Sequence, residues 1–318
     1  MDVSSSVWIG LVTTIAVLIA LDFVMVSRKP HDVLFKEAML WSIFYIGVAV
    51  VFGAWVWKSY GSQFGTEYFA AYLVEKSLSI DNLFIFVIIL TQFAVPSILH
   101  QRVLLIGVIL ALAFRAVFIA IGAAALHAFA FTFVIFGLIL VWTGVSLYRH
   151  RDKEPHPEDN AVIRLVRRLM PITSGYHESK VFIRREGKRY GTPMLLVIIA
   201  IASTDLLFAL DSIPATYGVT SEPLLVFAAN AFALLGLRAL YFLLKGLLDK
   251  LVYLSIGLAA ILVFIGFKLM AIYFHEVNSS IPKIPTSTSL LVIVAILGIA
   301  TLASVHKNRK SAQSESNV

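Results

Sequence analysis

Nine runs of mostly apolar residues set the terms for this chain: about 7–26, 38–57, 67–93, 100–122, 128–148, 192–216, 222–243, 252–275 and 289–305. Each is near the roughly 20 residues that an α-helix needs to cross the hydrocarbon layer of a bilayer. One aqueous core cannot absorb so much apolar sequence. Of the 318 residues, 59% are hydrophobic and 14% charged, against about a quarter charged in ordinary soluble domains. The mean hydropathy is +0.88. The expected fold class is all-α: a polytopic membrane protein with about nine transmembrane helices. The first run is too long, and too poor in preceding positive charge, for a cleaved signal peptide. The chain has no cysteine, which excludes disulfides and thiolate metal sites.

The net charge of +7 follows from where the basic residues fall. With the N-terminus outside, the inner segments hold Arg28, Lys29, Lys36, Arg102, eleven basic residues between Arg149 and Arg189, Lys245, Lys250, Lys307, Arg309 and Lys310. The outer segments hold Lys58 and Lys283. This asymmetry predicts an outer N-terminus and a cytoplasmic C-terminus. The basic residues then face the anionic lipid surface, and nucleic acid is not needed as a partner. The long inner segment 149–190 contains "DNAVIRLVRRLM", which sets Val162, Ile163, Leu165, Val166, Leu169 and Met170 against Arg164, Arg167 and Arg168. That pattern predicts an amphipathic helix at the membrane surface. "KVFIRREGKRY" predicts a hairpin turning near Gly187. The last eight residues, "SAQSESNV", predict a disordered tail.

Two apolar runs carry acids that lipid does not tolerate. "EKSLSIDNLFIF" holds Glu75 and Asp81, and "STDLLFALDSIP" holds Asp205 and Asp211, both pairs six residues apart. Asp22, Lys76, Arg115, Arg238 and Lys268 also fall within apolar runs. A lone ionised residue at a helix centre costs about 2.5–3.5 kcal/mol on insertion scales, so these groups need partners, ions or water. Six residues of α-helix turn the second carboxylate about 120° from the first and carry it about 9 Å along the axis. A straight helix would not aim both at one ion. Either the helices are interrupted, as Pro214 and the polar Ser77, Ser79, Ser203 and Thr204 permit, or the acids form two tiers with one from each run per tier.

Glu75, Asp81, Asp205 and Asp211, with Asn82, Ser77, Ser203, Thr204 and Asn230 as further oxygen donors, are hard ligands suited to Mg²⁺, Ca²⁺ or Mn²⁺. His31, His100, His127, His275 and His306 lie in loops or at span ends, which argues against a buried Zn²⁺ or Cu site. The competing structural account is that Arg115 and Arg238 pair with Asp81 and Asp211 as buried salt bridges between helices. Asp22, near the inner end of its run, is open between site and snorkelling group. Lys76 and Lys268 read as snorkelling groups or counter-ions, since an ammonium has no acceptor. Asn230 leans toward a structural role, and Trp41, Trp55 and Trp57 read as interface anchors.

The two acidic runs belong to a longer internal similarity. "FRAVFI", with Arg115, matches "LRALYF", with Arg238, and "ILVWTG" (139–144) matches "ILVFIG" (261–266). Runs three to five therefore resemble runs six to eight. An odd number of spans per unit makes the second unit enter from the opposite side, the inverted repeat of many secondary transporters. The expected organisation is 1–66, a two-helix segment; 67–148, the first three-helix repeat; 149–191, the cytoplasmic loop; 192–275, the second repeat; and 276–318, a final helix and tail.

"EKSLSIDNLFIF", "STDLLFALDSIPA", "FALLGLRALYFLL" and "ILVFIGFKLM" together resemble the TerC/Alx family of integral membrane proteins, over nearly the whole chain and at the length of its Alx branch. The resemblance implies a bacterial inner-membrane protein of metal-ion homeostasis, particularly manganese export. It places the family's acidic positions on Glu75, Asp81, Asp205 and Asp211, with Asn82 beside them. One position departs: family members often carry a Glu three residues before the first Asp of the second motif, where this chain has Ala202.

The expected function is a secondary transporter exporting divalent metal ions, most of all Mn²⁺, with Arg115 and Arg238 stabilising the empty site or moving aside on binding. The metal would be transported cargo, with no cofactor held permanently. The alternative is a membrane scaffold or assembly factor for stress response or for metallation of other proteins, docking partners on loop 149–190. No enzyme is expected: the chain has no phosphate loop, no nucleophile–base arrangement and no HExxH.

Overall fold

The computed structural model describes residues 1, 3–28, 34–129, 131–150, 161–177, 180–185, 188–244, 253–277 and 284–315. Helices follow the apolar runs: α1 Ser5–Arg28, α2 Phe35–Tyr60, α3 Ser62–Gln92, α4 Ser97–Ala128, α5 Thr132–His150, α7 Pro193–Tyr217, α8 Pro223–Leu235, α9 Leu237–Leu244, α10 Leu254–Val277 and α11 Thr286–Glu315. The surface helix α6 Ala161–Leu169 and strands β1 Phe182–Arg185 and β2 Lys188–Gly191 lie between α5 and α7. The protein is an all-α polytopic membrane protein. In lipid, only helices satisfy every backbone N–H and C=O within one segment.

Eight helices among the described residues are long and apolar enough to cross a bilayer, with α8 and α9 forming one of these spans. The ninth expected span is α3, which has 31 residues but carries Glu67, Glu75, Lys76 and Asp81. It is too polar to face lipid and is enclosed by α2, α7, α8 and α11. Opposite treatment of the two kinds of surface sorts the bundle. The α8–α9 span is almost wholly buried, whereas most of α1 and α11 is not. The outer helices expose large apolar side chains, such as Ile9, Val51, Trp142 and Leu302, as a lipid-facing surface should.

The span 222–243 is broken at Gly236, where a Cβ would lie 3.1 Å from Lys76 Nζ and 3.2 Å from Tyr45 Cβ. The break brings α3 close to the end of α8, and Lys76 Nζ donates to the Ala233 carbonyl at 3.3 Å. A cation there complements the negative end of the helix dipole. Within the bundle, α3 packs on α8, α7 packs on α4, and α5 lies along α10. Small residues let α5 and α10 touch backbone to backbone. A Cβ on Gly137 or on Gly266 would each lie 2.7 Å from the other's carbonyl oxygen, and one on Gly144 would lie 2.8 Å from the Ala259 carbonyl.

On the loop side, α6 buries Ile163 and turns Arg164, Arg167 and Arg168 outward. Strands β1 and β2 pair antiparallel from Phe182–Gly191 to Arg185–Lys188; the turn expected near Gly187 lies outside the described residues. Tyr176 fixes this segment to the bundle by donating to the Phe93 carbonyl at 2.8 Å, and burial pushes its phenol up to about 12. One expectation fails. The tail from Ser311 is not wholly disordered, because α11 continues through Glu315. No Gly or Pro after Gly298 stops it, and propagating a helix costs far less than starting one. Residues 316–318 lie outside the described residues.

The α5–α10 contact yields a stability prediction. Gly266→Val is expected to lower stability by about 1–3 kcal/mol through overpacking, read as a lower unfolding midpoint in detergent. Gly298→Ala, where nothing lies within 4 Å of the added Cβ, should not lower it. Equal midpoints for Gly266→Val and wild type would show that the backbone contact is slack.

Candidate functional site

Glu75 lies mid-way along α3, Arg115 at the centre of α4 and Asp205 at the centre of α7. All three are at most 1% exposed. Arg115 Nη1 donates to Glu75 Oε2 at 2.8 Å. Its Nη2 and Nε reach Asp205 Oδ1 at 3.3 Å and Oδ2 at 3.4 Å. The planar guanidinium thus forks onto one carboxylate and bridges to the other, a geometry Lys could not supply. The second oxygen of Glu75, Oε1, accepts from Thr216 Oγ1 at 2.7 Å. The cluster carries formal charges of −1, −1 and +1, so one negative charge remains in the buried centre.

Helix α7 runs on past Pro214 without a break, so the six-residue spacing keeps its straight-helix geometry. Asp205 faces α4, whereas Asp211 turns to α5, where it accepts from Thr143 Oγ1 at 2.8 Å. Asp211 is half-buried and lines an opening of about 550 Å³ between α5 and α7, with Trp142, Thr143, Ser146 and Leu207. Pro214 has no N–H, so the Leu210 carbonyl beside Asp211 lacks its usual helical donor. Asp81 lies on α3, and its side chain is outside the described ones. Glu75 and Asp205, the first acid of each motif, therefore meet at one level, and Asp211 stands apart from them. Among the described residues, no three metal-ligating side chains converge.

The supporting residues divide. Ser77 donates back to the Leu73 carbonyl at 2.6 Å. Ser203 and Thr204 donate to the Ala200 carbonyl at 3.1 and 2.7 Å. These hydroxyls bond along their own helices, a common alternative to a cap or site role. Asn82 Nδ2 and both amide atoms of Asn230 are buried without a partner among the described residues. Arg238 sits elsewhere. Its Nε donates to Asp22 Oδ2 at 3.0 Å, its Nη2 to Asp22 Oδ1, and its Nη1 to Gln101 Oε1 at 3.4 Å. Tyr45 donates to the same Asp22 at 2.9 Å. The arginines thus take Glu75, Asp205 and Asp22 as partners, and Arg238 does not take Asp211.

Thr216, Thr143 and Glu67 were not legible as site residues. Thr216 had a signal: it lies within "DSIPATYG", five residues after Asp211, where a hydroxyl in an apolar run needs an acceptor. Thr143 had none beyond its residue type. Glu67 is the first residue of the apolar run 67–93 and was not singled out.

Comparison with known proteins adds a lineage to this geometry. The family model described as "Integral membrane protein TerC family" matches residues 60–312. An uncharacterized membrane protein of Myxococcus xanthus is 41% identical over 314 residues, covering 99% of this chain and 96% of the relative. One from Mycobacterium tuberculosis is 42% identical over 326 residues, covering 98% and 82%. An Escherichia coli protein under the provisional name membrane-bound redox modulator Alx is 34% identical over 299 residues, covering 91% of each chain. No solved structure matches.

The buried triad makes its own prediction. Arg115→Met strands two carboxylates and should cost about 3–5 kcal/mol, seen as a large fall in unfolding midpoint in detergent. Adding Glu75→Gln and Asp205→Asn to the same chain should recover most of the loss. A triple variant that melts no higher than Arg115→Met would show that charge pairing does not hold these helices.

Proposed function

The chain belongs to the TerC family of integral membrane proteins, and from that membership and the buried triad we propose a secondary transporter for divalent metal ions. Mn²⁺ is its first candidate cargo, exported across the bacterial inner membrane with the N-terminus outside and the C-terminus in the cytoplasm. The observation that carries this reading is that the first acid of each motif, Glu75 and Asp205, meets the other on one guanidinium at full burial. Apolar side chains would join the same helices at lower cost, so the retained charges favour a site. Export, and manganese ahead of other hard ions, come from the family resemblance.

The mechanism follows from charge. A divalent ion cannot join the triad with Arg115 in place without leaving a net positive charge in low dielectric. Entry of the ion between Glu75 and Asp205 therefore displaces the guanidinium, and its exit lets the guanidinium return. Arg115 is the counter-ion of the empty state. Asp211 and the Leu210 carbonyl, which lacks its helical donor, supply a second level of oxygen ligands along the path, and Asp81 is the corresponding acid of the first motif. The protein performs no covalent chemistry and holds no permanent cofactor. We also read α3–α5 and α7–α10 as the two inverted units. The exchanged packing of α3 on α8 and α7 on α4 supports this, as do the matched contacts Gly266–Gly137 and Gly144–Ala259.

A scaffold role remains the second reading, favoured by the described part of the loop, which holds α6, β1 and β2. It is fastened by Tyr176 and exposes Phe182 and Leu169 beside arginines. The name of the E. coli relative speaks of redox. With no cysteine in this chain, a redox effect would act through the ion moved, not through a thiol.

Inverted vesicles holding the purified protein are expected to take up Mn²⁺. Asp81→Asn, Asp211→Asn, Glu75→Gln and Asp205→Asn should each abolish uptake while the protein reaches the membrane in normal amount. Full uptake by both Asp81→Asn and Asp211→Asn would remove those carboxylates from the site. Full uptake by Glu75→Gln and Asp205→Asn would rule out ion passage through the triad. Deleting 156–186 should leave at least partial flux in a transporter and abolish the activity of a scaffold.

A further inference from the structure

Glu67 lies in the second turn of α3, eight residues before Glu75 and so about 12 Å from it along the axis. Its Oε2 accepts from Thr220 Oγ1 at 2.7 Å, and its Oε1 from Gln63 Nε2 at 3.1 Å. Thr216, one turn before Thr220, donates to Glu75 at 2.7 Å. Each glutamate of α3 is thus tied to a threonine at or just past the end of α7, in opposite order along the two segments. Close to this stretch in sequence, the hydroxyls of Tyr72 and Ser212 are buried without partners among the described residues. Buried hydroxyls are nearly always satisfied, by protein or by something bound.

Above Glu67 the bundle opens into a cavity of about 290 Å³, lined by Glu67, Tyr217, Thr220, Ser221, Lys268 and Thr286 among others. It lies on the side of the N-terminus, whose ammonium bonds Glu222 at 2.8 Å. Lys268 comes from α10 and is 4% exposed. It makes no hydrogen bond or ion pair among the described residues. The Glu67 carboxylate acts on it through space.

We propose that this cavity is a second cation station, through which the metal ion passes between Glu75 and the outside; this rests on the transport reading above. Glu67 and the hydroxyl oxygens of Thr220 and Ser221 are the hard ligands for a divalent cation. Thr216, which donates to Glu75, stands one turn from Thr220 and links the cavity to the triad. Lys268 sets the affinity. An ammonium sharing the cavity repels a divalent cation bound at Glu67, so the station holds the ion weakly and releases it. At the outer mouth of an exporter that is the useful sign. No counterpart of Glu67 occurs in the second repeat, where alignment of Glu75 with Asp205 places Val197, so the station belongs to one side only.

The test is Mn²⁺ binding to the full-length purified protein, read from the loss of the free-ion paramagnetic resonance signal, beside Mn²⁺ flux in proteoliposomes. Glu67→Gln should remove one weak site, leave the tight site, and slow flux about tenfold or more. Lys268→Met should move the other way in binding: the weak site tightens about tenfold, the scale of one removed charge at partly screened range. Its flux should show a lower KM and a lower maximal rate. A misfolded protein cannot bind more tightly, so this variant decides even if Glu67→Gln folds poorly. Unchanged isotherms in both variants would overturn the station. So would weaker Mn²⁺ binding in Lys268→Met, together with phosphate retained by wild type and lost by that variant, which would make the cavity an anion site. If the wild type shows no flux but Glu67→Gln still loses one Mn²⁺ site, the transport reading fails and the station stands.

Discussion

A guanidinium held between two carboxylates, out of reach of water, is the interaction on which this architecture depends. Charges cannot be left alone in hydrocarbon, so Glu75, Arg115 and Asp205 force α3, α4 and α7 together at one depth. The rest of the bundle follows. α3 carries too many ionisable groups to meet lipid and needs a wall of other helices around it. α8, apolar but for Asn230, fills the space beside it and is almost wholly enclosed. The outer helices then present the exposed Leu, Ile, Val and Trp surface that a bilayer accepts. A few ionisable groups are thus enclosed within an otherwise apolar interior, and apolar side chains also cover the outside.

Two similar motifs take different partners. Arg115 of "FRAVFI" bridges Glu75 and Asp205, but Arg238 of "LRALYF" is taken by Asp22, Gln101 and, through Asp22, Tyr45. Asp22 and Tyr45 belong to α1 and α2, which lie outside both motifs. The leading helices therefore break the equivalence of the two arginines. Where α5 meets α10 no such outsider intrudes, and the contact stays reciprocal, glycine carbonyl against glycine.

What the sequence revealed, and what it withheld, divides along a physical line. Length and hydropathy located the helices, because crossing lipid imposes a length that any chain must show. The burial of Glu75 and Asp205 was legible from the same rule. Which helix each acid faces was not: spacing along one helix gives an angle, and the angle becomes a contact only once the neighbours are placed. For that reason Arg238 was set against Asp211 as one option and is found on Asp22. The break at Gly236 was hidden within a continuous apolar run, since hydropathy does not register where a helix bends to let Lys76 and Tyr45 approach. Glu67 was lost at a span edge, because a carboxylate near the membrane surface looks ordinary until a buried Lys268 stands across from it. The continuation of α11 through Glu315 shows the converse. Polar composition suggested disorder, while the absence of a helix breaker decided otherwise.

The opening between α5 and α7 has a consequence of its own. Its rim is Trp142, Leu207 and Leu210, exposed where acyl chains would lie, and at its floor is Asp211. A carboxylate is thus approachable sideways from the oily phase, without passage through either aqueous face. The acid is therefore set close to the lipid-facing flank of the bundle, whereas Glu75 and Asp205 are walled off from it on every side.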